Sequence, residues 1–397
     1  MRRVLLVLNT GSSSIKFALH DAGQAADQAS CIASGAVEGI GHAPVLVLRQ
    51  GAAITTQPPD TTQDTGAPDA IEGLIGWLLR ALDARLGPLD VVSAGHRVVH
   101  GGRAFHAPVE VTDDVLVRLA QLCPLAPGHQ PCNLAGIRAV AARWPATRQI
   151  ACFDTAFHQT RPRAAQLYAL PRALSTAGIL RYGFHGLSYD HIAGRLGEVL
   201  GARVAKGKVI VAHLGSGASL CALHDRRSVD TTMGFTALDG LMMGTRCGQI
   251  DPGVILHLMR EKGMDAATVE HLLGRESGLL GVSGISADMR ALLDSPAPEA
   301  AEAVDLFIHM ILRHIGALTA TLGGLDALVF TAGIGERAPE IRHRVMAGLG
   351  WLGLTPDETA NAAQRTIIST PESRITAARI PTDEEAVILR AMRAAEA

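Results

Sequence analysis

The sequence predicts an α/β protein made of two duplicated domains, and three observations carry that prediction. First, nearly the same eleven residues occur twice, as G-S-S-S-I-K-F-A-L-H-D from Gly11 to Asp21 and as G-S-G-A-S-L-C-A-L-H-D from Gly215 to Asp225. Second, strand-like and helix-like segments alternate along the chain, which is typical of α/β folds. Third, the 397 residues are enough for two domains with full cores.

The repeated segment itself predicts a β-hairpin. An apolar run precedes each copy, and a Gly/Ser turn then leads into a second alternating run. Small residues let backbone N–H groups approach an anion, and phosphate is the usual anion at such a tip. One such stretch could be merely a flexible loop, but two matched copies favour a pair of phosphate-binding hairpins. Lys16 stands out in the first copy because lysine is rare in this chain.

The remaining elements follow from hydrophobic periodicity. Apolar residues that recur at intervals of three and four predict helices, and short apolar runs predict strands. The predicted helices are Asp69–Leu86, Gly186–Leu200, Asp251–Lys262, Pro298–Leu322 and Asp383–Ala395, and the predicted strands are Val91–Ala94, Gln149–Phe153, Val209–Ala212 and Ala327–Thr331. The Pro-, Thr- and Asp-rich segment 57–68 is interpreted as a surface loop.

The duplication places the domain boundary between the two hairpins, near Cys152. The last predicted helix has no strand after it, so we expect it to pack back on the first domain. The predicted domains are therefore residues 1–152 plus 386–397 and residues 153–385.

Composition narrows the function classes. A net charge of −2 gives no electrostatic reason to expect nucleic acid or an anionic membrane as a partner. We expect no apolar stretch to approach a membrane span, and the N-terminal apolar run is too short for a signal peptide. The six cysteines form no C-x-x-C pair, which is typical of reduced thiols and predicts a cytoplasmic protein. No P-loop, nucleophile elbow or H-E-x-x-H motif occurs.

Seven polar blocks resemble the signatures of acetate kinases, and they follow the family order over essentially the whole chain. They are Asn9 to Phe17, His96 to Gly102, Phe153 to His158, Arg181 to Gly186, Met242 to Arg246, Phe330 to Glu336 and Pro381 to Glu385. That family belongs to the acetate and sugar kinase, Hsp70 and actin superfamily. The resemblance implies two duplicated actin-like ATPase (ribonuclease H-like) domains around a nucleotide cleft. It implies that residues 1–152 plus 386–397 bind the acid and that residues 153–385 bind the nucleotide.

The implied reaction is reversible, direct in-line phosphoryl transfer between ATP and a short-chain carboxylate, acetate or propionate, which gives an acyl phosphate and ADP. An acid with a pKa of about 4 to 5 is already ionised at pH 7, so the nucleophile needs no general base. The difficulty is to bring one anion up to another, which calls for cationic side chains and a metal ion. The resemblance implies Mg²⁺ or Mn²⁺ as that metal and a homodimer as the assembly.

The resemblance assigns roles to individual residues. Arg97 and Arg246 flank the transferring group, His185 donates to the γ-phosphoryl oxygens, and Asp154 orients the metal or the substrate. Asn9 and Glu384, rather than Glu385, correspond to the metal-linked positions. The nucleotide contacts implied are Asn9, Ser12, Ser14, Lys16, His213, Ser216, Gly217, Asp288, Arg290, Gly333, Ile334, Gly335 and Arg337. We expect Gly333 to Gly335 to form a loop before a helix that starts near Ala338.

The chain departs from the family at several of these places. Ser216 and Arg337 stand where asparagine is usual, and Gln249 stands where an acid is usual. Around the alkyl end of the acid the resemblance places Val99, Gly128, Phe184 and Ala237. Gly128 replaces a leucine and Ala237 a proline, so the pocket could accept propionate or butyrate, unless neighbours such as Phe184 or Leu238 refill it.

Two other function classes remain open on the sequence. A nucleotide-gated binding protein of the actin or Hsp70 kind would lack the arginines for a small acid. A sugar or alcohol kinase would need a carboxylate base for its hydroxyl nucleophile, and Asp154 could serve. The blocks around Arg97 and His185 favour the acid kinase over both.

Overall fold

The computed structural model describes residues 1–11, 14–23, 31–41, 43–59 and 68–395. The chain divides into two compact units. Unit 1 comprises Met1–Ala156 with Asp383–Ala397, and unit 2 comprises Phe157–Thr382. The boundaries expected from the sequence, after 152 and before 386, differ from these by a few residues.

Unit 1 is built on an eight-stranded sheet. Its strand order is β5-β4-β3-β2-β1-β6-β8-β7. Strands β1 to β5 pair antiparallel in sequence, whereas β6 lies parallel to β1 and β8 lies parallel to β6. The strands are β1 (Arg2–Thr10), β2 (Ser14–Asp21), β3 (Cys31–Glu38), β4 (Val45–Gln50), β5 (Ala53–Gln57), β6 (Leu89–Val98), β7 (Val109–Glu110) and β8 (Arg148–Phe153).

The helices of unit 1 cover this sheet. The core beneath them is apolar and fully buried, with Leu6 and Leu8 from β1 packed among Ile75, Leu78 and Val140. Since β1 is central, between the antiparallel β2 and the parallel β6, its near-continuous apolar run is buried on both faces. The helices are Pro68–Leu86, Asp113–Ala120, Gln130–Arg143 and Glu384–Ala394, with a 3₁₀ turn at Cys123–Leu125.

The last helix packs on unit 1, as the sequence predicted, and its close packing depends on one glycine. A Cβ atom at Gly95 in β6 would collide with Ile388 and Met392 of that helix. The missing side chain therefore allows close approach. Asp383 caps the helix by accepting a hydrogen bond from the Ala386 N–H at 2.9 Å, so Glu384 is held in the first turn.

Unit 2 is built on a five-stranded sheet in the order β11-β10-β9-β12-β13. The strands are β9 (Lys208–Leu214), β10 (Ala218–His224), β11 (Arg227–Thr231), β12 (Ala327–Thr331) and β13 (Thr376–Arg379). The helices are Arg163–Gln166, Arg172–Thr176, Gly186–Ala205, Pro252–Glu261, Ala266–Arg275, Gly278–Ser283, Met289–Leu293, Pro298–Leu322, Ala332–Arg337, Pro339–Ala347 and Glu358–Ala362, with 3₁₀ turns at Ala156–Thr160, where the two units adjoin in sequence, and at Gly350–Leu352.

The duplication is visible in the strand order. In unit 1 the strands β3-β2-β1-β6-β8 follow one another, and in unit 2 the strands β11-β10-β9-β12-β13 do so. In each set the first three strands in sequence pair antiparallel with one another. The two later strands extend the sheet on the other side of the first strand and run parallel to it. Both repeated segments form the predicted hairpin, β1–β2 and β9–β10. The α/β prediction with two duplicated domains is therefore confirmed.

Two predicted elements differ from the structure, and one predicted loop lies mostly outside the described residues. The residues Gly333 to Gly335 do not form a loop, because the helix Ala332–Arg337 already begins at Ala332, which has φ 63°. The helix predicted to end at Leu200 continues to Ala205 after a kink at Gly201, which has φ 77°. The predicted surface loop 57–68 lies mostly outside the described residues.

The expectation that no apolar stretch approaches a membrane span is wrong by length and composition. Among the described residues, the helix Pro298–Leu322 is long and apolar enough to cross a membrane, and half of its apolar window is buried. Phe307, Ile311 and Ile315 on this helix are buried in unit 2. A buried core helix can have the same length and apolar composition, so this feature is weak evidence for a membrane.

Candidate functional site

Unit 1 fixes one arginine with three oxygen-bearing side chains. Arg97 stands near the end of β6, and its Nε and Nη2 donate to the two carboxylate oxygens of Asp154 at 3.0 and 2.6 Å. Its Nη1 donates to Asn9 Oδ1 at 3.4 Å, and Glu384 Oε2 lies 3.9 Å from Nε. These residues meet because β1, β6 and β8 are neighbours in the sheet and end at the same edge. A two-pronged arginine–carboxylate pair fixes the guanidinium plane.

Burial and charge oppose each other in this cluster. Burial lowers the pKa of Arg97, but the carboxylates of Asp154 and Glu384 outweigh it and hold that pKa above its ordinary value. Burial raises the pKa of the Asp154 carboxyl above its ordinary value, although Arg97 opposes part of the shift. Arg97 therefore stays charged, and 21% of its side chain remains exposed to meet a substrate anion.

The turn after β6 borders the same cluster. The Val99 N–H donates to Asn133 Oδ1 at 2.9 Å, and Asn133 Nδ2 in turn donates to the Thr10 carbonyl at 2.6 Å. Asn133 thus ties the ends of β1 and β6 together. His129 lies close enough to Asp154 for its charge to lower the carboxyl pKa, so the adjacent Gly128 lies near this cluster too. A Cβ atom added at Gly128 meets nothing within 4 Å.

The first hairpin contributes Asn9, Ser14 and Lys16 to this part of unit 1. Asn9 pairs with Lys16 across the strands, and the Gly11 N–H donates to the Ser14 carbonyl at 2.9 Å to close the tip. Lys16 is exposed and lies near Glu385, whose pKa is raised mainly by burial. Ser12, a predicted nucleotide contact, lies outside the described residues.

The donor set near Arg97 fits a hard divalent cation. Asn9, Asp154 and Glu384 each place an oxygen atom within 4 Å of the Arg97 guanidinium. Mg²⁺ in phosphoryl-transfer sites is usually bound by one or two carboxylates together with substrate phosphates. Within the described ranges no group of three or more His, Cys, Asp or Glu side chains could hold a metal alone. A dedicated protein cage is therefore absent from the described part, and a metal shared with a nucleotide suits the residues.

In unit 2 three groups converge at the second hairpin tip. A Cβ atom built at Gly217 would lie 3.0 Å from Arg246 Nη2 and 3.2 Å from His185 Nε2. The Gly215 N–H donates to the Gly217 carbonyl at 3.0 Å, and the Ser216 carbonyl accepts from the Gly244 N–H at 3.1 Å. An arginine, a histidine and a small-residue backbone turn therefore face the same space, as anion binding requires.

His185 is held in an unusual backbone position. It has φ 59° and precedes the helix Gly186–Ala205. Its ring stacks on that of His213, with centroids 4.1 Å apart. His185 Nδ1 lies 2.8 Å from Ser219 Oγ, and His213 Nδ1 lies 2.8 Å from Ser188 Oγ. A non-glycine residue in the left-handed region is strained, and such strain concentrates at functional sites.

The acid-side residues of unit 2 lie in two places. Arg246 Nη1 donates to the Ala237 carbonyl at 2.7 Å, which puts Ala237 beside the arginine. Phe184 is fully buried, and its carbonyl lies 2.9 Å from His158 Nε2. Burial lowers the pKa of His158 to about 3. His158 is therefore a buried, uncharged residue that supports the backbone at Phe184.

The remaining predicted nucleotide contacts of unit 2 lie in the helix Ala332–Arg337 and at the start of the helix Met289–Leu293. Gly333 lies beside the hairpin tip, because a Cβ atom at Gly215 would be 3.9 Å from its nitrogen. Asp288 and Arg290 form an exposed ion pair at 2.6 Å, and Asp288 also caps the helix Met289–Leu293. Ile334, Gly335 and Arg337 belong to the helix Ala332–Arg337, in which only Gly335 is buried. These contacts stay predictions.

Gln249 stands where the family usually has an acid, and its backbone N–H donates to the Gly240 carbonyl at 2.9 Å. Its side chain borders a cavity of about 130 Å³ together with Arg181, Asp239 and His314. Arg181 Nη1 pairs with Asp239 Oδ2 at 3.2 Å there, so a carboxylate remains in this part of unit 2.

The sequence analysis missed several supporting residues. Asn133 joins two strand ends, Ser219 and Tyr189 lie behind His185, and Arg342 is completely buried. Arg342 donates to the carbonyls of Gly335 and Glu336 and to Asn361. Ser219 alone carried a signal, because it lies within the second repeat. Asn133 contacts Val99 across 34 positions, Tyr189 contacts Ser219 across 30, and Arg342 contacts Asn361 across 19. No local pattern reveals contacts at such separations.

Comparison with known proteins decides the family. The model of the acetokinase family matches residues 4–390. The chain belongs to that family. It is 53% identical to the acetate kinase of Rhodopseudomonas palustris (strain ATCC BAA-98 / CGA009) over 392 residues, 98% of each chain.

Two solved structures of this acetokinase family extend the comparison to the fold. The Porphyromonas gingivalis acetate kinase has a TM-score of 0.87 and 36% identity over the full length of both chains. A propionate kinase from Francisella tularensis subsp. tularensis SCHU S4 has a TM-score of 0.88 and 34% identity over 99% of both chains. The duplicated actin-like ATPase fold expected from the sequence is thereby shown.

Proposed function

We propose that this acetokinase transfers the γ-phosphoryl group of ATP to a short-chain carboxylate, reversibly and in line, to give an acyl phosphate and ADP. The observation that carries the proposal is the pair of arginine sites. Arg97 is fixed by Asp154 and Asn9 in unit 1, and Arg246 converges with His185 on the hairpin tip of unit 2. Cationic donors suit a reaction between two anions.

Each unit has a defined part in the reaction. Arg97 binds and orients the carboxylate, and the open space at Gly128 receives its alkyl end. Arg246 and the His185 Nε2 atom stabilise charge on the phosphoryl oxygens, which is where charge accumulates in the transition state. A bound divalent ion, held by Asn9, Asp154 and Glu384, would neutralise phosphate charge. The acid is already ionised, so Asp154 is free to hold Arg97 instead of acting as a base.

Trapping the product with hydroxylamine tests this function. The purified protein with Mg-ATP and acetate should form acetyl hydroxamate, while a hexose in place of acetate should give no ATP consumption. Phosphorylation of the hexose, or ATP hydrolysis that neither acid nor hexose alters, would replace this function by a sugar kinase or a nucleotide-gated binding protein.

The range of acids is a second part of the proposal. Gly128 leaves space that a larger side chain would fill, and Ala237 lies beside Arg246. One structural relative is itself a propionate kinase. We therefore expect propionate, and to a smaller degree butyrate, as alternative substrates, with acetate as the reference acid.

The assembly, the metal and the location complete the proposal. We expect a cytoplasmic homodimer that uses Mg²⁺ or Mn²⁺ and needs no nucleic-acid or membrane partner. Light scattering at micromolar concentration should give twice the 41.6 kDa chain mass, and a single-chain mass would contradict the dimer. EDTA should abolish turnover and Mg²⁺ should restore it. Fractionated cells should hold the protein in the cytoplasmic fraction, not with the membranes.

A further inference from the structure

Behind His185 lies a short chain of two hydroxyl groups. Ser219 Oγ is 2.8 Å from His185 Nδ1, and Tyr189 Oη is 2.5 Å from the same Ser219 Oγ. We refer to Tyr189 Oη and Ser219 Oγ as the hydroxyl chain. Tyr189 and Ser219 are completely buried, and His185 is 9% exposed. The two hydroxyl groups are therefore shielded from bulk water.

Counting protons fixes the direction of this chain. The chain contains two hydrogen bonds, Tyr189 to Ser219 and Ser219 to His185, and its two hydroxyl groups supply one proton each. Both bonds are satisfied when Tyr189 donates to Ser219 and Ser219 donates to Nδ1. A proton on Nδ1 would put three protons into these two bonds, and either the Tyr189 or the Ser219 hydroxyl would then lack an acceptor among the described residues. Buried donors are rarely left in that state.

The tyrosine is suited to start the chain. Burial raises the pKa of Tyr189 well above its ordinary value, so its hydroxyl stays protonated. Ser219 Oγ is the hydrogen-bond partner of Tyr189 Oη within the described residues. Tyr189 lies one helical turn after His185, and Ser219 lies in β10 beside His213 of β9. The helix and the strand together hold the Tyr189 hydroxyl against Ser219 Oγ.

We propose that Tyr189 and Ser219 are positioning residues that keep His185 in the tautomer with its proton on Nε2. That atom lies 3.2 Å from a Cβ built at Gly217, on the side where Arg246 Nη2 also points. The Nε2–H group is thereby kept as a hydrogen-bond donor toward the hairpin tip. An unfixed imidazole would spend part of its time with Nε2 as an acceptor, which repels a phosphoryl oxygen. The kinetic part of this inference rests on the proposed function, whereas the tautomer does not.

Nitrogen NMR on the ¹⁵N-histidine-labelled enzyme tests the tautomer directly. The His185 signals are identified by their loss in His185→Gln. The wild type should show Nδ1 unprotonated and Nε2 protonated. Tyr189→Phe removes one hydroxyl proton, so a proton can enter the Ser219–Nδ1 bond, and the two tautomers should become mixed. A protonated Nδ1 in the wild type, or an unchanged tautomer in Tyr189→Phe, would overturn the inference.

Kinetics supply the second readout and its control. Tyr189→Phe should lower kcat roughly ten-fold with the KM values for ATP and acetate changed by less than about two-fold, as for other residues that orient a functional histidine. Tyr182→Phe removes another buried tyrosine hydroxyl, which donates to the Gly178 carbonyl, and should change neither kcat nor the tautomer.

A double-variant cycle shows whether the tyrosine acts through the serine. Ser219→Ala should lower kcat at least as much as Tyr189→Phe, and combining the two should cost nothing further, because the tyrosine reaches His185 only through Ser219. Additive losses would contradict the hydroxyl chain. If the wild type made no acyl phosphate at all, the proposed function would fail while the NMR result would still decide the tautomer.

Discussion

The two units share five strands in the same order but hold their arginines differently. In unit 1, Arg97 donates to a buried carboxylate and an amide oxygen. In unit 2, Arg246 donates to the carbonyl of Ala237 and lies beside a histidine. The hairpin tips differ as well, since four residues separate Thr10 from Ile15 and three separate Leu214 from Ala218. The two units keep the same order of five strands, whereas the residues at the strand ends differ and give each unit its own chemistry.

Replacing the two arginines should separate their roles. Arg97→Ala and Arg246→Ala should each lower kcat/KM by roughly 10³-fold or more, because each removes a charge that the transition state needs. Their stabilities should differ. Arg97→Ala leaves Asp154 buried without its partner and should cost about 3 kcal/mol of unfolding free energy, whereas Arg246→Ala should cost about 1 kcal/mol.

A compensating variant sharpens that difference. Adding Asp154→Asn to Arg97→Ala removes the buried charge and should recover part of the stability in urea unfolding, while turnover stays lost. Near-normal turnover in either folded single variant, or equal destabilisation by both, would contradict the contrast between the units.

Each unit also buries a neutral histidine, and this predicts acid sensitivity. Burial lowers the pKa of His96 in unit 1 and of His158 in unit 2 to about 4 and about 3. The unfolded chain takes up protons near pH 6.5 where the folded chain does not, so stability is lost as the pH falls from 6.5 toward those values. Each histidine should cost about 2 kcal/mol between pH 6.5 and 5.

Replacing the buried histidine of unit 2 tests its share of that sensitivity. His158→Gln should reduce the pH dependence of urea unfolding by the share of this one histidine, while replacing the exposed residue in His257→Gln should leave it unchanged. A His158→Gln variant as pH-sensitive as the wild type would show that this histidine is not the source.

Two glycines, one in each unit, should respond to alanine in opposite directions. Gly95→Ala places a methyl group against Ile388 and Met392 and should destabilise unit 1 by about 1–3 kcal/mol. Gly197→Ala lies in the helix Gly186–Ala205 with nothing within 4 Å of the new Cβ, and should stabilise unit 2 by about 0.5–1 kcal/mol. Thermal unfolding of both variants measures this, and a tolerated Gly95→Ala would mean that the last helix is loosely seated.

The smallest effect concerns the acid. Each additional buried CH₂ contributes about 0.8 kcal/mol, and discrimination over one methylene rarely exceeds about 3 kcal/mol. Gly128→Leu should therefore shift the acetate-to-propionate ratio of kcat/KM roughly ten-fold toward acetate. A wild-type preference for acetate above about a hundred-fold, or a ratio that the substitution leaves unmoved, would show that neighbouring side chains already fill the pocket.

The sequence predicted the helices and strands better than the side-chain contacts between them. The helix Pro298–Leu322 and the strand Ala327–Thr331 have the predicted bounds, because their periodicity and their flanking residues are local signals. The short helix at Gly333 was missed because glycines there suggested a loop. Arg97 and Asp154 were singled out, but their mutual contact spans 57 positions and becomes visible only when β6 and β8 pair. Asn133 and Tyr189 depend on similar long-range contacts.

The stereochemical course of the transfer tests the central claim most directly. ATP made chiral at its γ-phosphorus with oxygen isotopes is converted with acetate, and the configuration of the phosphoryl group in the product is determined. Direct in-line attack by the carboxylate, with arginines that only orient and neutralise, predicts inversion. Retention would require two successive displacements through a covalent phosphoenzyme, and would contradict the account.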